Sequence, residues 1–161
     1  MRWIWIDKFT EFTSHKSASA VKCATLAEDH MHDIYGDYPI VPHSLIVEGF
    51  AQTGGMLVGE SRNFEEKVVL AKIGKAKFHR LVRPGETIEF TTIVDQLNDK
   101  GASIHGTVKI HGGDLVAEIE MMFSHIDQNM AGMKFPEENF VFTERFLDLL
   151  RNYRRDHPIA V

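Results

Sequence analysis

The sequence predicts an α+β domain in which an antiparallel sheet curls around one long central helix. Two observations predict it. From Leu45 to Val58 the chain is apolar on nearly every helical face, with glycines at 49, 54 and 55, and a helix apolar all round belongs inside a core. After that run the hydrophobic period changes to two in three successive stretches separated by turn residues, the mark of half-buried strands joined as antiparallel hairpins.

Along the chain, His30 to Pro39 (HMHDIYGDYP) reads as a loop, with Gly36 free to adopt dihedrals closed to other residues. The central helix follows. Ile88, Phe90, Thr92 and Val94 then alternate with Glu89, Thr91, Ile93 and Asp95. Ile104, Gly106, Val108 and Ile110 alternate with Ser103, His105, Thr107 and Lys109, and a third stretch runs in the same way from Leu115 to Phe123. Asn98–Gly101 and His111–Asp114 supply the turns between them. Residues 127–139 (DQNMAGMKFPEEN) read as a loop. Thr143 can then cap a short helix with Phe146, Leu149, Leu150 and Tyr153 on one face. The expected division is a domain over residues 1–126 and, over 127–161, a loop and C-terminal helix extension.

At 161 residues the chain is long enough for one domain with a proper core. A net charge of −5 lacks the basic surplus of nucleic-acid-binding domains. The single Cys23 cannot close an internal disulfide, so nothing points to an oxidising compartment. The apolar start MRWIWIDKF is interrupted at Asp7 and Lys8, short of a signal sequence, and no apolar run reaches membrane-spanning length. A cytoplasmic, soluble protein is the expectation.

The central helix carries one carboxylate, Glu48, with Ser44 and Gln52 four residues to either side and so on the same face. An unpaired buried charge is expensive. A lone carboxyl group there suits an acid that exchanges a proton with a substrate. Pairing with a Lys or Arg from elsewhere, or exposure at the first helical turn, is the alternative this pattern leaves open.

The stretch Pro39–Gly55, PIVPHSLIVEGFAQTGG, resembles the signature of the FabZ-type 3-hydroxyacyl-(acyl carrier protein) dehydratases. These have the hot-dog fold, and in them a Pro-x-x-Pro-Gly turn leads into a buried helix with a catalytic Glu. Ala71–Phe90, AKIGKAKFHRLVRPGETIEF, is similar to the family's strand, Lys-Phe-Arg-like segment and Pro-Gly turn. IDKFTEFTSHKSASAVKCAT, from Ile6, is similar to its first hairpin. The likeness spans residues 5 to about 125.

The resemblance implies dehydration of (3R)-3-hydroxyacyl groups on acyl carrier protein to trans-2-enoyl groups, with no metal or organic cofactor. Such an elimination needs a base for the proton beside the carbonyl, an acid for the departing hydroxyl, and donors for the charge on the thioester oxygen. Glu48 matches the family acid, and the backbone N–H of His43 falls where the family's Pro-Gly amide holds the carbonyl. The family also implies homodimers with shared sites, His from one subunit and Glu from the other, assembled as a trimer of dimers. Lys75, Lys77, Arg80 and Arg83 are the densest positive cluster on the matching segment. They are the candidates for binding the acidic carrier, with a solvated strand edge as the alternative.

The motif breaks at the base. Where the family's His opens His-Phe-Pro-Gly-x-Pro, fourteen positions before the Glu, this chain has Ile34, followed by Tyr35, Gly36 and Asp37. A two-residue shift of the loop brings His32 to the base position and turns Ile34 toward the acyl tunnel, lined also by Tyr35, Gln52 and Phe78. Surface histidines at 30 and 32, a metal site with Asp33 and His43, and His43 as base are the competing readings. The competing function is a non-catalytic, carrier-binding or regulatory paralogue that has lost the base.

Overall fold

The computed structural model describes residues 3–33, 35–126, 129–130, 133–134 and 141–158. Its centre is α2 (His43–Glu60), and β1 (Lys8–Thr13), β2 (Ser17–Cys23), β3 (Lys67–Phe78), β4 (Thr87–Asn98), β5 (Gly101–Ile110) and β6 (Leu115–Ile126) form one antiparallel sheet. The strand order is β1-β2-β4-β5-β6-β3. The expected β4–β5–β6 meander is present, with Ile88 opposite Ile110 and Val108 opposite Ala117. β3 precedes these strands in sequence but pairs with β6 at the far edge.

The period-two pattern sets the inner face. Ile88, Phe90, Thr92, Ile104, Val108, Ile119 and Met121 are buried beneath α2, which itself buries Ile46, Phe50, Met56, Leu57 and Val58. Helix and sheet meet so closely that a Cβ on Gly49 would lie 2.2 Å from Phe90 Cζ. Glycine is therefore a packing requirement at that position rather than a weakness of the helix. This is the hot-dog arrangement the sequence implied.

Two local expectations change. The stretch after His30 is not all loop: His30–Asp33 form a helical turn, α1, before the bend at Gly36, whose φ is 60°. Within 127–139, β7 (Asn129–Met130) pairs with β8 (Met133–Lys134), a minimal hairpin where a loop was expected. The rest of that stretch lies outside the described residues.

α3 (Glu144–Asp156) starts after Thr143, whose carbonyl accepts from Phe146 and Leu147 N–H groups at 2.9 and 3.0 Å. Phe146 and Leu150 are buried, and the helix packs against the edge strand β1. Its far end is tied to α2. Arg154 Nη2 donates to Glu60 Oε1 at 2.5 Å, while Ser14 Oγ donates to Glu60 Oε2 at 2.6 Å. The other edge, β3, has no further strand paired to it among the described residues, and Leu70 is 42% and Ile73 44% exposed. Among the described residues no helix is long and apolar enough to cross a membrane.

Candidate active site

The site begins where the chain enters α2. Val41 is buried and its N–H donates to Val82 O at 2.9 Å, which anchors the entry. Pro42, with φ −57°, takes the N-cap position and accepts from Leu45 N–H at 2.9 Å. Proline suits a helix start because its φ is preset. No acidic side chain occupies the first turn, so the helix's positive end, including the N–H of exposed His43, is open to an anionic or polarised oxygen. The His43 ring stacks on Phe78 at the end of β3, with centroids 3.9 Å apart and planes 3° from parallel.

Glu48 follows one and a half turns later, half-buried. Gln52, only 2% exposed, donates Nε2–H to Glu48 Oε1 at 2.7 Å. The orientation of that amide is fixed from the other side. Gln52 Oε1 accepts from Trp5 N–H at 2.8 Å and Ile6 N–H at 3.4 Å, and Nε2 also reaches Trp3 O at 3.3 Å. Backbone N–H groups only donate, so the oxygen must face them and the nitrogen must face the carboxylate. The Glu48 carboxylate thus has one oxygen engaged and lines a cavity of about 120 Å³ whose other walls are mostly apolar.

His32 is exposed on α1. Its Nε2 lies 2.7 Å from Leu26 O. A carbonyl only accepts, so in the neutral ring Nε2 carries the hydrogen and Nδ1 the lone pair. His30 points the other way, into the N-terminal cluster. Its ring meets Trp5 edge-on at 5.3 Å, and Nε2 lies 3.7 Å from Glu28 Oε2, beside the Lys22–Glu28 ion pair of 2.6 Å. Tyr35 is exposed, and Ile34 lies outside the described residues. Within one chain Gln52 shares the cavity with Glu48, whereas His32, Tyr35 and Phe78 do not line it.

The four basic residues do not form a uniform patch. Lys75 faces Glu120 at 3.6 Å, and Lys77 stands opposite Glu118 in the β3–β6 register. Arg80 bridges Glu86 at 2.5 Å and Asp114 at 3.3 Å. Arg83 donates to the Tyr38 hydroxyl and covers that ring with its guanidinium 4.6 Å from the centroid.

Two sets of residues escaped the sequence reading. Val141, Phe142 and Phe146 line the Glu48 cavity; an apolar i, i+4 pair shows that a helix buries a face, not which cavity it faces. The backbone of Trp3 and Trp5 holds Gln52, and backbone groups leave no residue-type signal at all.

Comparison with known proteins shows the family and the fold. Residues 5–120 match the family model described as a FabA-like domain. The chain is 33% identical over 121 residues to 3-hydroxyacyl-[acyl-carrier-protein] dehydratase FabZ of Cereibacter sphaeroides, covering 73% of this chain and 77% of that protein. It is 33% identical over 123 residues to the FabZ of Roseobacter denitrificans, covering 73% and 80%. Among solved structures, the dehydratase heterocomplex ApeI:P from Xenorhabdus doucetiae superposes with a TM-score of 0.65 at 11% identity, over 78% of this chain and 84% of that one. That last likeness carries the fold alone.

Proposed function

The chain belongs to the FabZ-type 3-hydroxyacyl-(acyl carrier protein) dehydratases of the FabA-like family, and on that footing we propose that Glu48 and His32 carry out its elimination in a site shared by two copies. The reaction is dehydration of a 3-hydroxyacyl group borne on acyl carrier protein, as in fatty acid biosynthesis. The observation that carries the site assignment is the Gln52–Glu48 hydrogen bond of 2.7 Å at an otherwise apolar cavity.

In this reading the thioester oxygen accepts from the His43 N–H, where the helix's positive end stabilises the charge that develops as the neighbouring proton leaves. Nδ1 of the second copy's His32 takes that proton. Glu48, in its acid form, gives its proton to the departing hydroxyl, which leaves as water. Gln52 already donates to Oε1, so the transferable proton sits on Oε2. The double bond forms between the two carbons that lost hydrogen and hydroxyl, and the enzyme is reset when the His32 proton returns to Glu48 through solvent.

A shared site requires at least a dimer. The β3 edge, which no further described strand pairs with and where Leu70 and Ile73 are exposed, is the surface that fits a second copy, since unpaired strand edges are ready templates for pairing. Three such dimers make the proposed hexamer. Lys75, Lys77, Arg80 and Arg83 are the proposed contact for the acidic carrier, and the cytoplasm is the proposed compartment.

Turnover of 3-hydroxybutyryl groups on carrier protein, and the reverse hydration of a crotonyl thioester, test the reading. Glu48→Gln and His32→Ala each lose at least about a hundredfold in rate, while His30→Ala loses little. Retained activity in His32→Ala removes it as the base and passes the role to His43 or a water. A wild type inactive on every thioester, made active by Ile34→His, establishes the non-catalytic paralogue instead.

A further inference from the structure

The C-terminal segment reaches back to the reacting centre. Val141 and Phe142 precede α3, Phe146 sits in its first turn, and all three line the cavity beside Glu48. They lie beyond the residues 5–120 that match the family. Ala51 and Gly55 of α2 and Leu70 of β3 line it too.

We infer that Val141, Phe142 and Phe146 form the end wall of the acyl pocket and select short acyl tails. The inference rests on the dehydratase reading in one respect: Glu48 marks the reacting end of the pocket. An apolar cavity of about 150 Å³ takes up a six-carbon ring. Within one chain the cavity here, about 120 Å³ and partly open, has room for about four or five carbons between Glu48 and this wall.

The wall is built into the fold. Phe142 is 6% and Phe146 1% exposed; their rings are parallel within 4° at 6.3 Å, and the Phe64 ring meets Phe142 edge-on at 5.0 Å. Phe142 occupies space that only glycine leaves open, because a Cβ on Gly59 would lie 2.2 Å from its Cζ. The Arg154–Glu60 ion pair of 2.5 Å fixes the other end of α3 to α2. A longer tail must displace a buried, packed ring. Gly55 offers the opposite change: a Cβ there meets nothing closer than Phe123 Cε1 at 3.7 Å, so alanine enters the cavity without a clash.

The test compares the full-length wild type with Phe142→Ala, Phe142→Leu and Gly55→Ala. One readout is kcat/KM on 3-hydroxybutyryl and 3-hydroxydecanoyl carrier protein. The other is calorimetric affinity for butyryl- and decanoyl-pantetheine thioesters. Wild type favours the four-carbon probe by about tenfold or more in both, since a single misfitting methylene is worth about ten- to two-hundredfold. Both Phe142 variants shift that ratio toward ten carbons by about tenfold, and Gly55→Ala shifts it further toward four. If Phe142→Ala does not fold, Phe142→Leu and Gly55→Ala decide. Equal handling of both lengths by the wild type, or the wild-type ratio in the folded variants, overturns the wall. A wild type without turnover overturns the dehydratase reading, and the affinity ratios then still decide the wall.

Discussion

Gln52 donates to Glu48 Oε1 at 2.7 Å while its own oxygen accepts from the N–H of Trp5 at 2.8 Å. One buried amide thus couples the acid on the central helix to the extended segment at the start of the chain. Each end of the amide meets a partner that admits only one orientation, so among the described residues the carboxylate is held by this hydrogen bond rather than by a counter-charge.

Replacing Gln52 with leucine leaves the buried Trp5 N–H without its acceptor and Glu48 without its donor. We expect a loss of about 1–3 kcal/mol in stability for the unsatisfied backbone group. We also expect about a tenfold fall in kcat with a smaller change in KM, because what is lost is the aim of the acid rather than substrate contact. Urea unfolding and steady-state kinetics check the two effects separately. Wild-type kcat in a folded variant means that Gln52 does not position Glu48.

The glycines of α2 should respond in opposite directions. Gly59→Ala places a methyl against the Phe142 ring, where the Cβ distance is 2.2 Å, and should cost about 1–3 kcal/mol through overpacking. Gly55→Ala meets only ordinary contacts and should be neutral or stabilising by up to about 1 kcal/mol, the helix propensity gained. Denaturant midpoints of the two variants give the comparison, and equal midpoints contradict the packing of Phe142 on the helix.

Part of this architecture is legible in the residues alone. The central helix was legible because only Glu48, Gln52 and Thr53 are polar between Leu45 and Val58, and the meander was legible because β4, β5 and β6 alternate for most of their length between turn quartets. The pairing of β3 with β6 was not, since it is a long-range choice with no local signature. The helical turn at His30–Asp33 escaped notice because four residues carry too little periodicity. Within the site, Glu48 stood out by its rarity in an apolar run. The wall formed by Phe142 and Phe146 did not, because burial of a helix face is readable while its docking partner is not.

The basic residues give a test that separates carrier from acyl recognition. Lys77→Glu should raise KM for carrier-bound substrate severalfold, more at low salt, and leave KM for a free pantetheine thioester unchanged. Equal effects on both substrates, or none on either, remove Lys77 from the docking surface.

Glu118 supplies a pH-dependent signature on the same strand pair. Its carboxyl is held below the usual carboxylate range, first by the hydrogen bond with His79 and then by the charge of Lys75 and, more weakly, Lys77. A carboxylate depressed in the folded state stabilises the fold above its ordinary titration near pH 4.3, and that contribution disappears as pH falls through the depressed range. Wild type should therefore melt slightly above Glu118→Gln at about pH 6, and the gap should shrink as the pH falls below about 4.3. The exposed position keeps the difference small. A gap that widens toward acid contradicts the assignment.

The shared site is tested most directly by mixing two inactive variants. His32→Ala and Glu48→Gln each lack one half of every site as homodimers. After denaturation and joint refolding, half of the dimers carry one of each chain, and one of the two sites in such a dimer regains both residues. The account predicts recovery of about a quarter of wild-type turnover in the equimolar mixture, from parents that each fall at least about a hundredfold below it. A mixture no more active than its parents, with dimers shown to have exchanged, contradicts a site built from His32 of one copy and Glu48 of the other.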